Sequence, residues 1–252
     1  MGTIRVENLS KHYGSTTALD NIDFEIKDGE FVVLLGVSGA GKSTLLRLLN
    51  GLTQPSEGAI YMDGEEITGP RDDVAMVFQQ HNLIVQMSAY ENALTGSLNR
   101  TSFLPSVFRW HDREDKLEAI RALETVGLMD EAGKKVKSMS GGQQQRVGIA
   151  RALVQDPTIM LADEPVASLD PASAETVMAY LRKVANQRNI TSIASLHQVN
   201  IAREFGQRFL GLRDGKLIFD GYIDDLTIDV IDEIYGNVQT DAIRRGREEA
   251  EA

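Results

Sequence analysis

Apolar and polar residues alternate early in the chain, and a continuous apolar run follows. Ile22, Phe24 and Ile26 are separated by polar residues, a turn signal stands at Asp28-Gly29, and residues 31–35 are all apolar. Alternation predicts a strand with one buried face, and the continuous run predicts a strand that is buried on both faces. The pattern therefore predicts β structure over the first 35 residues.

At Lys42 the periodicity changes from that of a strand to that of a helix. Leucines at positions 45, 46, 48 and 49 form the apolar side of this helix, and Asn50-Gly51 is a typical stop signal. A glycine-rich segment, residues 36–41, joins the predicted strand to the helix. Strand, glycine-rich loop and helix, in this order, are the context that a phosphate-binding loop requires.

The middle of the chain is mostly helix-like. Residues 90–126 carry paired charges at helical spacing, such as Asp112 and Lys116. Short strand-like runs surround the turn signals Asp63-Gly64 and Asp214-Gly215 on either side of this region. We therefore expect a helical insertion between two β-rich parts of the chain.

Strands and helices alternate after the insertion. Thr158–Ala162 is a strand-like run, Asp170-Pro171 starts a helix with valines and leucine on one face, and Ile190–Leu196 is a further predicted strand. Such alternation predicts a mainly parallel sheet that is covered on both faces. The expected fold class is α/β, with an N-terminal antiparallel β subdomain and an inserted helical subdomain.

One domain is expected over residues 1–240. Its core lobe would comprise residues 1–79 and 156–240, and its helical lobe residues 80–155. The segment FLPSVFRW, residues 103–110, is interpreted as packing within the helical lobe, with contact to a membrane partner as the alternative. Residues 241–252 are charged and without a pattern, and we interpret them as a frayed tail.

Composition limits the classes of function. The chain has 252 residues, of which 26 are basic and 37 acidic, so its net charge of −11 disfavours broad electrostatic binding of nucleic acid. No run approaches the roughly 18 apolar residues that span a membrane, and the start MGTIRVENLS lacks the apolar centre of a secretion signal. The absence of cysteine agrees with a reducing compartment. We therefore expect a cytoplasmic protein that needs a partner for any action at a membrane.

The segment GVSGAGKST, Gly36–Thr44, matches the pattern of a phosphate-binding loop. Gly36, Gly39 and Gly41 would let the backbone curl so that its N–H groups and the helix N-terminus face an anion. Lys42 would add a positive charge near the β- and γ-phosphates, and Ser43 would place its hydroxyl on Mg²⁺. The alternative is an ordinary glycine turn before a helix.

Two carboxylates follow one another at the end of the run TIMLADEP, residues 158–165. The carboxyl edge of a parallel sheet is where such folds bind ligands. Asp163 fits Mg²⁺ coordination, directly or through water, and Glu164 fits a general base that polarises the attacking water. The alternative is a strand that simply ends at charged residues.

A third segment, SGGQ, combines a hydroxyl, two unhindered backbone N–H groups and the start of a helix. Its residues are Ser140, Gly141, Gly142 and Gln143, and they predict another anion site at a helix N-terminus. Taken alone, such a stretch is usually a flexible loop. Together with the phosphate-binding loop it resembles the signature of the ATP-binding cassette (ABC) family, whose core is of the P-loop NTPase type.

The resemblance implies a set of site residues. Glu164, His197 and Gln79 would act in hydrolysis of ATP, with His197 as a switch that contacts the γ-phosphate; Ser43, Gln79 and Asp163 would hold Mg²⁺. Tyr13 would stack on adenine, or else be an exposed loop tyrosine, and Asp170 would communicate across a dimer, or else cap the helix that follows. The residues implied to contact ATP are Tyr13, Gly36, Ser38, Gly39, Ala40, Gly41, Lys42, Ser43, Thr44, Ser140, Gly141, Gly142, Gln143 and Asp170.

Finer resemblance concerns the cargo. GLTQPSEGAI, VFQQHNLI, LADEPVASLDPASAETVM and SLHQVN are similar to segments of the ATPase subunit of bacterial phosphonate importers. The ABC resemblance, with one phosphate-binding loop and one signature segment in the chain, implies a head-to-tail dimer with two ATP sandwiched between the copies. The dimer would dock on two transmembrane permease subunits through a groove near residues 79–91. An extracytoplasmic phosphonate-binding protein would deliver the substrate, and the chain would lie at the cytoplasmic face of the membrane. The alternatives are import of phosphite or hypophosphite, an ABC ATPase of a soluble phosphonate-degrading complex, and a non-transport ATPase acting on ribosomes or DNA.

Overall fold

The computed structural model describes residues 2–79, 82–99 and 112–236. The strands are β1 Ile4–Tyr13, β2 Thr16–Ile26, β3 Phe31–Leu35, β4 Glu57–Met62, β5 Glu65–Glu66, β6 Val74–Phe78, β7 Ile159–Asp163, β8 Thr191–Leu196, β9 Arg208–Arg213 and β10 Lys216–Tyr222. The helices are α1 Lys42–Leu49, α2 Ala89–Leu94, α3 Arg113–Thr125, α4 Gly141–Val154, α5 Pro171–Arg188, α6 Val199–Phe205 and α7 Ile228–Tyr235, with 3₁₀ turns at Thr95–Asn99 and Val136–Ser138. The predicted tail and residues 103–110 lie outside the described residues.

The larger sheet of the described residues is mainly parallel, as the alternation of strands and helices predicts. Its order is β10-β9-β3-β8-β7-β6, and all pairs are parallel except β9 with β10. Every residue of β3 and β8 is buried, as expected for strands covered on both faces. The carboxyl ends of β3, β6, β7 and β8 therefore meet at one edge of the sheet.

The smaller sheet is antiparallel and lies near the N-terminus, as predicted. Its order is β2-β1-β4-β5. The predicted turns at Asp63-Gly64 and Asp214-Gly215 connect β4 to β5 and β9 to β10, and all four turn residues have positive φ. Asp and Gly tolerate this conformation better than most residues, which explains why these pairs are reliable turn signals.

Two apolar clusters lie on opposite faces of the larger sheet. Val32 and Leu34 of β3 belong to a cluster with the smaller sheet and the leucines of α1. Val33 and Leu35 belong to the other cluster, which contains residues of helices α2 to α7. The inserted helices α2, α3 and α4 thus share an apolar core with the sheet.

Three local expectations need correction. Strand β7 ends at Asp163 rather than at residue 162, because Asp163 is in register with Phe78 of β6. Strand β8 starts at Thr191, because the N–H of Ile190 still bonds to the end of helix α5. Asp112 accepts a hydrogen bond from the N–H of Asp115 and so caps α3, and none of the ion pairs among the described residues joins it to Lys116.

In the described part of the chain, none of the helices has the length and apolar character needed to cross a membrane.

Candidate active site

The phosphate-binding loop connects β3 to α1, where the sequence predicts it. Gly41 precedes α1 with φ of 106°, and a Cβ at this position would lie 2.6 Å from Cδ2 of Leu19 in β2. Gly36 leaves β3, and a Cβ there would lie 2.5 Å from the carbonyl oxygen of Leu212. Any side chain at either position would clash, so the glycines allow the loop to pack tightly against the strands beside it. Ser38, Gly39 and Ala40 lie in the loop between β3 and α1, and Thr44 is the third residue of α1.

Lys42 is folded back onto this loop. Its Nζ donates to the carbonyl oxygens of Gly36 at 2.8 Å and Val37 at 3.0 Å, and the residue is 4% exposed. Burial lowers the pKa of Lys42, and the negative charges of Glu164 and Asp163 oppose that shift. The ammonium group thus lies in a pocket of backbone carbonyls with both carboxylates nearby.

The carboxylate of Asp163 lies against the start of α1. Ser43 Oγ donates to Asp163 Oδ1 at 2.9 Å, although the two residues are 120 positions apart. Hydroxyl and carboxylate oxygens are the donors that Mg²⁺ prefers. Among the described residues there is no group of three or more His, Cys, Asp or Glu side chains that could hold a metal, so a metal here would need ligands from a nucleotide or water.

His197 lies between the phosphate-binding loop and the two consecutive acids, and it contacts a residue of each. Its Nε2 is hydrogen-bonded to Oε1 of Glu164, and its Nδ1 lies 3.5 Å from Nζ of Lys42. A neutral imidazole with its proton on Nε2 satisfies both contacts, because Nε2–H then donates to the carboxylate and Nδ1 accepts from the ammonium. The structure therefore places Lys42, His197 and Glu164 in one row at the carboxyl edge of the sheet.

Ser195 is a residue of this site that sequence reasoning missed. Its hydroxyl accepts from the N–H of Glu164 at 2.8 Å and donates to Asp163 Oδ1 at 3.1 Å. The residue is fully buried in β8, two positions before His197. Its position near the end of a strand that leads into the site was the available signal, but the same strand also carries the hydroxyls of Thr191 and Ser192.

Gln79 and Tyr13 lie where the predictions place them, at the ends of strands. Gln79 is exposed and follows Phe78, which is in register with Asp163. Tyr13 is 49% exposed at the end of β1, and Lys11 Nζ lies 5.0 Å from the centre of its ring. Among the described residues, no hydrogen bond joins either side chain to Lys42, His197 or Glu164.

The signature segment forms a capped helix start. Ser140 Oγ accepts from the N–H of Gln143 at 3.3 Å, and the Gln143 side chain accepts from the N–H of Ser140 at 3.0 Å, which is a capping box. Gly141 and Gly142 are the first residues of α4, and a Cβ on Gly142 would lie 3.2 Å from Cβ of Ser173 in α5. The start of α4 therefore packs closely on the start of α5.

Asp170 caps α5, which confirms one of its two predicted roles. Its carboxylate accepts from the N–H of Ser173 at 3.0 Å, and the hydrogen bonds from Ser173 lower the pKa of Asp170. A cavity of about 210 Å³ is lined by residues of both helix starts, among them Ser140, Gly142, Gln143 and Ser173. No hydrogen bond of the described residues joins this group to Lys42, so the two segments predicted to bind anions form separate groups within one chain.

Comparison with known proteins gives consistent matches. Residues 19–167 match the family described as "ABC transporter". The chain is 68% identical over 246 residues to "Phosphonates import ATP-binding protein PhnC" of Halobacterium salinarum, covering 98% of this chain and 88% of that protein. It is 48% identical to the protein of the same name from Thiobacillus denitrificans over 241 residues, which covers 93% of each chain.

Two solved structures extend the comparison to the fold. One is the dimeric post-hydrolysis state of the ATP-binding cassette MJ0796 bound to ADP and Pi, with a TM-score of 0.71 and 35% identity over 87% of this chain and 98% of that chain. The other is cbiO1 from Clostridium perfringens, part of the ABC transporter complex cbiONQ, with a TM-score of 0.81 and 28% identity over 98% of each chain.

Proposed function

The chain belongs to the ABC transporter family, and on that premise we propose that it is the ATP-hydrolysing subunit that powers import of phosphonates across the cytoplasmic membrane. Hydrolysis is supported by the row of Lys42, His197 and Glu164 at the sheet edge, beside the phosphate-binding loop. The phosphonate cargo is supported by 68% identity over 98% of the chain to a protein named for phosphonate import. That identity is the single observation that carries the choice of cargo.

Binding of ATP uses the phosphate-binding loop and the start of α1. The N–H groups of the loop and the N-terminus of α1 would face the phosphates. Lys42 Nζ would leave the carbonyl groups of Gly36 and Val37, which it contacts at 2.8 and 3.0 Å, and bind the β- and γ-phosphates. Tyr13, which is half-exposed at the end of β1, would stack on the adenine ring.

Ser43 and Asp163 would hold Mg²⁺, with Gln79 next to them at the end of β6. When bound, this ion neutralises charge on the β- and γ-phosphate oxygens. Ser43 Oγ donates to Asp163 Oδ1 at 2.9 Å, so the fold brings the two oxygen ligands together.

Hydrolysis requires a water molecule to attack the γ-phosphate and lose a proton. Glu164 would accept that proton, since its carboxylate is held at the sheet edge by the hydrogen bond from His197 Nε2. His197 would also sense the γ-phosphate, because its Nδ1 faces the ammonium of Lys42, which moves when ATP binds. The products are ADP and inorganic phosphate.

A second copy of the chain would complete each ATP site. The segment Ser140–Gln143 forms a capped helix start that no hydrogen bond of the described residues connects to Lys42 of the same chain. In a head-to-tail dimer this helix start would face the γ-phosphate bound by the other copy, and Asp170 would lie beside it. The dimeric state of the similar cassette MJ0796 supports this arrangement.

Two transmembrane permease subunits are the proposed membrane partners, and the chain would lie as a peripheral subunit at the cytoplasmic face. A groove of about 440 Å³ lies between the sheet and the inserted helices, and its lining includes Leu52, Met76, Phe78, Asn82 and Thr95. Leu52 is 55% exposed, and Ile84, which follows the lining residue Asn82 by two positions, is 53% exposed. Exposed apolar side chains around a groove are typical of a protein interface, so we assign this groove to cytoplasmic helices of the permease.

A charge in the groove tests the docking assignment. Leu52→Glu should lower transport on the order of tenfold or more, because a carboxylate would have to lose its water at the interface. ATP binding and hydrolysis by the purified subunit should stay unchanged. Leu117→Glu, at a position that is 42% exposed on α3, is the matched control and should transport normally. Normal transport by Leu52→Glu would remove this groove from the proposal.

The cargo is tested by uptake in cells that lack the gene. Uptake of labelled phosphonate and, separately, of labelled phosphite would be measured after complementation with the wild type or Glu164→Gln. Phosphonate uptake restored only by the wild type supports the proposal, and an extracytoplasmic phosphonate-binding protein would then deliver the substrate. Restoration of phosphite uptake alone changes the cargo, and no dependence for either contradicts import of this class.

A further inference from the structure

The serine hydroxyl at the end of β8 holds both consecutive acids of the site. Ser195 Oγ accepts the N–H of Glu164 at 2.8 Å and donates to Asp163 Oδ1 at 3.1 Å. Ser195 is fully buried, so water does not compete for either bond. A single side chain from a neighbouring strand thus fixes the orientation of the peptide between the two acids.

The backbone of Glu164 needs such support. Its φ is 48°, in the left-handed region that non-glycine residues rarely adopt. A non-glycine residue held in that region is strained and persists only where surrounding contacts impose the conformation. The bond from Glu164 N–H to Ser195 is one such contact, and the resulting turn is the one in which the Glu164 carboxylate reaches His197.

The two serine hydroxyls that donate to Asp163 differ in how freely they can rotate. Ser43 and Ser195 both donate to Asp163 Oδ1, at 2.9 and 3.1 Å. Ser43 lies at the start of α1, beside the loop that binds the phosphates, and can turn its hydroxyl toward a ligand. Ser195 is enclosed in β8, and its acceptor side is already occupied by the N–H of Glu164. Its proton therefore stays on Asp163 when Ser43 turns away.

We propose that Ser195 is a positioning residue for ATP hydrolysis, which keeps the carboxylate of Asp163 and the backbone of Glu164 in their working orientations without touching the nucleotide. Hydrogen-bonding partners behind the groups that act directly commonly change activity by about 10- to 100-fold when removed. This inference rests on ATP hydrolysis and is independent of which cargo is transported.

Four variants at two positions separate positioning from packing. Ser195→Ala removes the hydroxyl, and Ser195→Thr and Ser195→Val form a pair of equal shape that differs in the hydroxyl alone. Ser192→Ala is the matched control, because Ser192 is buried in the same strand and, within the part of the chain that the structure describes, its hydroxyl donates to the carbonyl oxygen of Ile190, at 3.2 Å, and to no acid. Phosphate release by the purified full-length protein, the affinity for ATP and the thermal midpoint Tm would be measured for each.

The expected pattern is a loss of turnover without a loss of ATP binding. Ser195→Ala and Ser195→Val should lower kcat by about 10- to 100-fold with KM for ATP within about twofold of the wild type, and should raise the Mg²⁺ concentration for half-maximal rate. Ser195→Thr should recover most of kcat, and Ser192→Ala should behave as the wild type.

Several results would overturn the inference. These are wild-type kcat in Ser195→Ala, equal kcat in the Thr and Val variants when both fold, or the same kinetic defect in Ser192→Ala. Where the larger Thr and Val side chains prevent folding, the Ala variant decides, since a lower kcat at unchanged Tm supports the inference and an unchanged kcat contradicts it. Phosphate release does not depend on phosphonate, so failure here is distinct from failure of the uptake experiment.

Discussion

Replacing Glu164 by glutamine removes the proposed base while keeping its shape and its contact with His197. In the wild type, His197 Nε2 is hydrogen-bonded to Glu164 Oε1. The amide oxygen of glutamine can accept the same bond from Nε2–H, so the position of His197 beside Lys42 should be retained. Glutamine cannot take a proton from the attacking water, so the substitution removes the base, and it also removes one negative charge beside Lys42.

The size of the effect follows from the role assigned to Glu164. A positioned general base contributes about 10²- to 10⁴-fold in rate, which corresponds to about 2.7 to about 5.4 kcal/mol of transition-state stabilisation. Single-turnover hydrolysis with protein in excess over labelled ATP measures this step directly. ATP binding should be unchanged or tighter, because one negative charge near the phosphates is lost, and ATP should trap the variant as a dimer in size-exclusion chromatography.

Glu164→Gln also changes the charge balance of Lys42. Burial lowers the pKa of Lys42, and the negative charge of Glu164 partly opposes that shift. Neutralising Glu164 should therefore lower the pKa of Lys42 further. ATP binding by the variant, measured between neutral and alkaline pH, should weaken at a lower pH than binding by the wild type.

The control for these measurements is Glu175→Gln, which makes the same chemical change at an exposed position on α5 and should hydrolyse ATP normally. Hydrolysis by Glu164→Gln within about threefold of the wild-type rate would refute the assignment of the base, since the lower limit expected for a lost base is about a hundredfold. Loss of ATP binding in this variant would refute the argument that its geometry is preserved.

Two further predictions concern the dimer and acid stability. In a mixture of equal amounts of Lys42→Ala and Ser140→Arg subunits, each head-to-tail heterodimer has one ATP site built from two wild-type parts. Random pairing should therefore restore about one quarter of wild-type ATPase activity if the two sites act independently. Activity no higher than that of the two homodimers would contradict the shared site. Asp73 accepts from Arg71 at 2.8 and 3.0 Å and from Thr158 at 2.9 Å, and these bonds lower its pKa from 3.8. Its carboxylate therefore stabilises the folded state above that ordinary pKa, and the stabilisation is lost as the pH falls through the lower, folded-state pKa. In urea unfolding, Asp73→Asn should lower the free energy of unfolding by about 1–2 kcal/mol at pH 7, which is less than the loss expected for a fully buried ion pair, because Asp73 is partly exposed. The difference from the wild type should shrink in acid. A difference independent of pH would contradict this account.

Local sequence patterns predict the elements that carry the site. The apolar run of β3, the glycines before α1 and the pair Asp170-Pro171 each determine the backbone around them, and all three elements were predicted. The start of α3 was predicted less well, because an acid four residues before a lysine is read as an ion pair when it precedes the first helical turn. At that position the free N–H groups at the helix N-terminus compete with the lysine for the carboxylate, and the carboxylate of Asp112 accepts from the N–H of Asp115.

Contacts between distant segments explain what the sequence pattern left out. Ser195 and Asp163 are 32 positions apart, and Lys42 and His197 are 155 positions apart. His197 entered the predictions only because of the resemblance to a known family. The sequence predicts Ser195 only as one residue of a strand, since nothing local distinguishes a structural hydroxyl such as that of Ser192 from one that bonds to Asp163 and Glu164 where the adjacent strand ends.

The order of strands in the larger sheet explains why one edge can couple ATP binding to hydrolysis. Strand β8 lies between β3, which leads into the phosphate-binding loop, and β7, which ends at Asp163. The end of β8 therefore contacts both neighbours: His197 faces Lys42 on one side and Glu164 on the other, and Ser195 holds the two acids. In the proposed mechanism, ATP would draw the Lys42 ammonium away from its backbone carbonyls and so move the partner of His197 Nδ1, while the hydroxyl of Ser195 would keep Asp163 and Glu164 in place. On this proposal, the residues at the end of one strand include both a group that would respond to ATP, His197, and a group that would stay fixed, Ser195.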